Sequence, residues 1–90
     1  MGSNFGILVH RNDENVHLKL MGDFDGTSAH ELLSVLKRNS RFAGRTFIHT
    51  SCLKDVHPLG RNVFLQHLHL VKGESSHLVF TGDKASQLAP

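Results

Sequence analysis

Between Val16 and Leu36 the hydrophobic pattern changes from a two-residue period to the three-to-four-residue spacing of a helix, and few folds accommodate that change. Val16, Leu18 and Leu20 alternate with His17, Lys19 and Met21, so one face of a strand enters a core while His17 and Lys19 face out. The stretch GDFDG, Gly22 to Gly26, then supplies a turn. Ser28 with Glu31 forms a capping-box signature ahead of Ala29, Leu32, Leu33 and Leu36, and this spacing predicts a helix from Ser28 to Arg38.

The rest of the chain reads in the same way. Phe5 to His10 is rich in strand formers and is separated from Val16 to Met21 by the polar piece RNDEN, which predicts a hairpin. Asn39 to Arg45 reads as a loop, and Thr46 to Thr50 as a short strand central to the sheet. Val63, Phe64, Leu65, Leu68 and Val71 give one apolar side to a second helix, which Gly73 is placed to end in a left-handed cap. His77 to Thr81 is a further strand. Gly82-Asp83 opens a terminal turn in which Asp83 is placed to cap the amides of Ala85 or Ser86. The order is β-β-α-β-α-β-(α), an α/β fold with a mixed sheet and helices on one face, because parallel strands need right-handed helical crossovers.

Ninety residues suffice for one core, so residues 1–90 are expected to form a single domain, with Met1 to Ser3 as a loose end. No stretch approaches the ~20 apolar residues of a membrane helix, so direct membrane insertion is not expected. The first residues lack the basic and apolar regions of a secretion signal, and a lone Cys52 forms no internal disulfide; both point to a soluble cytoplasmic protein. The net charge of +2 comes from scattered lysines and arginines with no basic run, so nucleic acid is not an expected partner. The eight histidines make charge, and with it partner binding, sensitive to pH.

Three pieces in this order resemble the STAS domain, the small domain shared by sulphate transporters and bacterial anti-sigma factor antagonists. GDFDGTSAHELLSVL is similar to that family's glycine, turn aspartate and first helix; RTFIHTSCLKDVHPLG to its central strand and following loop; HLVFTG to its later strand. The terminal helix is shorter than is usual in the family. In the antagonists the loop before the second helix typically reads Asp-Ser-Ser-Gly, and a partner kinase phosphorylates a serine in it. The resemblance lays those positions on His57, Pro58, Leu59 and Gly60, of which only the glycine matches. The phosphoacceptor position falls on Leu59, which has no hydroxyl.

The loop KDVHPLG also has a logic of its own. Pro58 suits the first turn of a helix, where its missing N–H needs no partner and its φ is already helical. The amides of Leu59, Gly60 and Arg61 then lie at the positive end of a helix dipole, which Arg61 supplements with a full charge. Gly60 leaves room for the close approach of a partner's backbone. His57, Pro58, Leu59, Gly60, Arg61 and Asn62, with the hairpin edge, form the candidate partner-binding surface.

Other chemistries find less support. His57 as a phosphoryl-accepting nucleophile competes with the plainer reading of a solvent-facing residue before a helix. His67 and His69 diverge on a helix, and Cys52 has no second thiol, so no metal site is assigned; His49 reads as a core or rim residue with a hydrogen bond. Asp23 and Asp25 suit turn and capping roles better than acid-base catalysis. Ser51 lacks a nucleophile-elbow pattern, and no phosphate-binding glycine motif is present.

The expectation is a non-enzymatic protein-interaction domain of bacterial regulation, without cofactor and without the serine switch. Its partner would be a protein such as an anti-sigma factor or a kinase-like regulator. Two alternatives stand beside it: a small subunit of a membrane transport assembly, and a histidine-dependent phosphotransfer or metal-binding protein.

Overall fold

The computed structural model describes residues 4–12, 14–39, 44–71 (for Val71 the backbone alone) and 77–89. The elements run β1 (Gly6–Arg11), β2 (Asn15–Phe24), α1 (Gly26–Arg38), β3 (Arg45–Val56), α2 (Pro58–Val71), β4 (His77–Thr81) and α3 (Ala85–Leu88). This is the expected order. The strands form one sheet in the order β1-β2-β3-β4; β2 is antiparallel to β1 and parallel to β3, and β3 is parallel to β4. Thus α1 and α2 are the crossovers of consecutive parallel pairs, and β3 lies between two neighbours.

The core is built from the two periodicities seen in the sequence. Val16, Leu18 and Leu20 of β2 and Ile48 of β3 meet Ala29, Leu32, Leu33, Val35 and Leu36 of α1, with Phe64 and Leu68 of α2. Phe24 centres an aromatic run, packing edge to face on Phe5 at 5.7 Å and on Phe64 at 6.1 Å. Each fully buried aliphatic or aromatic side chain removes enough apolar surface to contribute about 1.5–3 kcal/mol. Leu88 of the short α3 is fully buried in the same cluster, so α3 is part of the core.

Four local expectations are corrected. The turn placed on GDFDG is confined to its end, at Asp25-Gly26: β2 continues to Phe24 because Gly22, Asp23 and Phe24 pair with Leu53, Asp55 and Val56 of a β3 that is itself longer than Thr46 to Thr50. The cap of α1 is Asp25, whose side chain accepts the Ser28 amide at 2.9 Å, so Ser28 lies inside the first turn. Asp83 does not cap α3: Lys84 holds the cap position without a side-chain bond, and the Ala85 amide donates to the Gly82 carbonyl at 3.2 Å. Asp23 lies in the strand, with one carboxylate oxygen buried and unpartnered. The Gly73 cap, the side chain of Val71, most of the loop after Asn39 and the N-terminal Met1 to Ser3 lie outside the described residues. Among the described residues, no helix is long and apolar enough to cross a membrane.

Candidate functional site

The start of α2 is fastened to the start of α1. β2 ends at Phe24, and Asp25, with extended backbone (φ −110°, ψ −168°), leads the chain into α1. Its carbonyl accepts the Ala29 amide at 2.9 Å, and its carboxylate lies 2.9 Å from both the amide and the hydroxyl of Ser28. The Ser28 amide first, then the Ser28 hydroxyl, with attraction to His57 as a smaller cause, hold the Asp25 carboxyl below the usual carboxylate range. From the other side, the His57 amide donates to the Phe24 carbonyl at 2.9 Å, and the His57 carbonyl accepts from the Arg61 amide at 3.0 Å. That bond closes the first turn of α2, with Pro58 as its first residue as expected.

Gly60 is buried between these two helix starts. A β-carbon there would lie 2.6 Å from the Phe24 carbonyl oxygen and 2.7 Å from the carbonyl carbon and oxygen of Asp25. The close approach that requires glycine is therefore made by the protein's own backbone, which removes Gly60 from the surface offered to a partner. The side chain of Leu59, next to it, lies over Gly26 and is nevertheless 67% exposed. An apolar side chain so exposed at a helix start gains nothing from the core.

His57, Pro58, Leu59, Arg61 and Asn62 are all exposed around this buried glycine. The Arg61 guanidinium is partly engaged, donating through Nε to the Gln87 carbonyl at 2.8 Å and so tying α3 to α2. With the Arg61 amide also bonded, and the Asp25 carboxylate beside His57, the helix start holds anions less readily than its dipole alone implies. What the geometry provides is an exposed ridge that carries the apolar side chain of Leu59. The hairpin edge lies elsewhere on the sheet, where Leu8 and Val9 of β1 are exposed.

A histidine pair that no local sequence pattern announces lies on the sheet face opposite the core. His17 Nδ1 lies 2.9 Å from His49 Nε2, and His49 Nδ1 lies 2.7 Å from Thr81 Oγ1. The signal was there in part, since both histidines occupy outward positions of strands, but only the register of β2 on β3 makes them neighbours. Among the described residues, no three His, Cys, Asp or Glu side chains form a group able to hold a metal ion.

Several solved structures share this architecture. An antisigma-factor antagonist, a STAS domain from Rhodobacter sphaeroides, aligns with a TM-score of 0.68 at 12% identity, over 94% of this chain and 91% of its own. An anti-sigma factor antagonist from Mycobacterium paratuberculosis aligns with a TM-score of 0.70 at 15% identity, over 93% of this chain and 73% of its own. Mglu aligns with a TM-score of 0.72 at 14% identity over 86% of this chain, which spans only 19% of Mglu. No protein-family model matches the sequence, and no curated relative matches it.

Proposed function

We propose that this chain, which has the STAS-type fold of the anti-sigma factor antagonists, is a non-enzymatic, cytoplasmic protein-interaction domain of bacterial regulation. Its partner-binding surface is the exposed ridge His57, Pro58, Leu59, Arg61 and Asn62. The observation that carries this reading is Leu59: a leucine 67% exposed at the start of α2, over the α1 start, at the position where the resemblance places a phosphorylated serine. A leucine cannot accept phosphate, so docking here is either constitutive or controlled elsewhere. Apolar contact at Leu59 supplies affinity, while Arg61 and His57 at the rim set which partner is accepted. An anti-sigma factor or a kinase-like regulator is the kind of protein such a ridge fits.

Affinity capture from the native host with the wild-type chain and with Leu59→Glu, followed by mass spectrometry, tests this. The expected outcome is a regulatory protein retained by the wild type and lost by the variant, while the variant keeps the wild-type circular dichroism. Recovery of a transporter component in its place would support the alternative of a subunit in a transport assembly. Recovery of neither, or equal retention by both chains, overturns the docking role of Leu59.

A further inference from the structure

The face of the sheet turned away from α1 and α2 carries a row of rings. In the register, His17 pairs with Phe47, Lys19 with His49, and His49 with Thr81, all of opposite parity to the buried Leu18 and Ile48. The rings of His17 and Phe47 stack at 4.8 Å and 8°, and those of His17 and His49 lie parallel, with centroids 5.2 Å apart and planes 2° apart. His10 of β1 adds a third imidazole, its ring 6.3 Å from that of His17. Each histidine of the central pair is half-buried, and each nitrogen between them has one partner.

Two imidazoles joined nitrogen to nitrogen need one proton in the bond. When both are neutral, either His49 donates through Nε2 while its Nδ1 accepts from Thr81, or His17 donates through Nδ1 while His49 Nδ1 donates to Thr81. One added proton leaves both bonds intact: His17 then carries two N–H groups, donates to His49 Nε2, and His49 donates to Thr81 Oγ1. A second proton has only His49 Nε2 to occupy. That places two N–H groups against each other across 2.9 Å and two positive charges on adjoining rings.

Among the described residues the surroundings offer no compensation. His10 from β1, Lys19 from β2, Arg45 from β3 and His77 from β4 share this face, and among the described residues opposite the core between Asn15 and Lys19, and on the strand positions paired with them, none is Asp or Glu. Glu14 sits at the edge, lining a hollow with Asn15, Gly44, Arg45 and His77. Burial first, then repulsion from His17 and Lys19, holds the titration of His49 below the ordinary histidine range.

We propose that His17 and His49 form one coupled proton-binding site, which keeps the helix-free face closed by its ring stack near neutrality and opens it when a second proton breaks the Nδ1–Nε2 bond. The site responds to acidification without a metal, a cofactor or any change in α1 and α2.

Nitrogen-15 NMR of the imidazoles, from about pH 8 down to about pH 4, tests this on the whole chain. The expected result is two steps in the signals of both rings, with the Phe47 ring signals moving in the second step. In His17→Gln, His49 is expected to titrate in one step, closer to the ordinary range, while His10→Gln keeps both steps. Independent single steps in the wild type, an unchanged His49 curve in His17→Gln, or Phe47 signals fixed through the second step would overturn the proposal. The wild-type titration decides on its own if the variant does not fold.

Discussion

Gly60 stands so close to Phe24 that a β-carbon on it would lie 2.6 Å from the Phe24 carbonyl oxygen. The obstacle is backbone held by the β2–α1 junction, so it cannot swing aside as a flexible side chain would. Gly60→Ala should therefore destabilise the fold by about 1–3 kcal/mol, through overpacking. For a domain of this size each kcal/mol lowers Tm by roughly 4–8 °C, which a thermal melt followed by circular dichroism resolves. Gly26→Ala is the control, because its β-carbon would lie at an ordinary 3.6 Å from Leu59. Equal melting of Gly60→Ala and wild type would show that the two helix starts are not locked together.

The junction also depends on Asp25. Removing its cap in Asp25→Ala should cost about 1 kcal/mol at neutral pH. Because Ser28 lowers the carboxyl pKa in the folded state, the charge-dependent part of this stability is present above the unfolded value of about 3.9 and is lost as pH falls through the folded value. The difference in urea midpoint between wild type and variant should accordingly narrow in strong acid. A difference that is constant from neutral to strongly acidic pH would mean the carboxylate charge plays no part.

At the other end of the chain, α3 has only four residues, yet Leu88 is fully buried. Leu88→Ala should cost about 2–5 kcal/mol, as a large-to-small change in a core does. Arg61→Ala, which removes an exposed bond to the Gln87 carbonyl, should cost much less, within about 1 kcal/mol. Chemical denaturation of both variants checks the ranking, and the reverse order would place the attachment of α3 in the Arg61 bond.

The histidine pair leaves a mark on stability as well as on spectra. His49 titrates below its unfolded value, so the unfolded chain takes up the proton first as pH falls. Its contribution is complete above the ordinary histidine value of about 6.5 and is lost as pH drops through the folded value. The wild type should lose its advantage over His49→Gln on mild acidification, measured as the pH dependence of the difference in urea midpoints. A parallel pH dependence in the two proteins would contradict this.

The backbone geometry of the α2 start was legible in the sequence, but not which segment packs against it. Pro58 reads as a helix start from its own covalent geometry, and it is one. Gly60 reads as a place of close approach, which is also correct, but no local pattern says whether the approaching backbone is a partner's or the Phe24-Asp25 segment some thirty-five residues earlier. Leu59 reads as a missing serine, and only the packed structure leaves it exposed.

By itself the sequence determined the succession of elements and the faces they bury, because a period of two or of three to four residues is a local property that sorts apolar from polar side chains. Val16, Leu18, Leu20, Ala29, Leu32, Leu33 and Leu36 were assigned to the core in that way, and all are buried. Tertiary structure alone decided where β2 and β3 end, that Asp25 and not Ser28 caps α1, and that His17 meets His49. The first and the last depend on register: the polar residues Asp23 and Asp55 remain in strands because a neighbouring backbone pairs with them, and two outward histidines become a hydrogen-bonded pair because β2 and β3 align Lys19 with His49. Periodicity carries no information about which residue of the next strand will stand alongside.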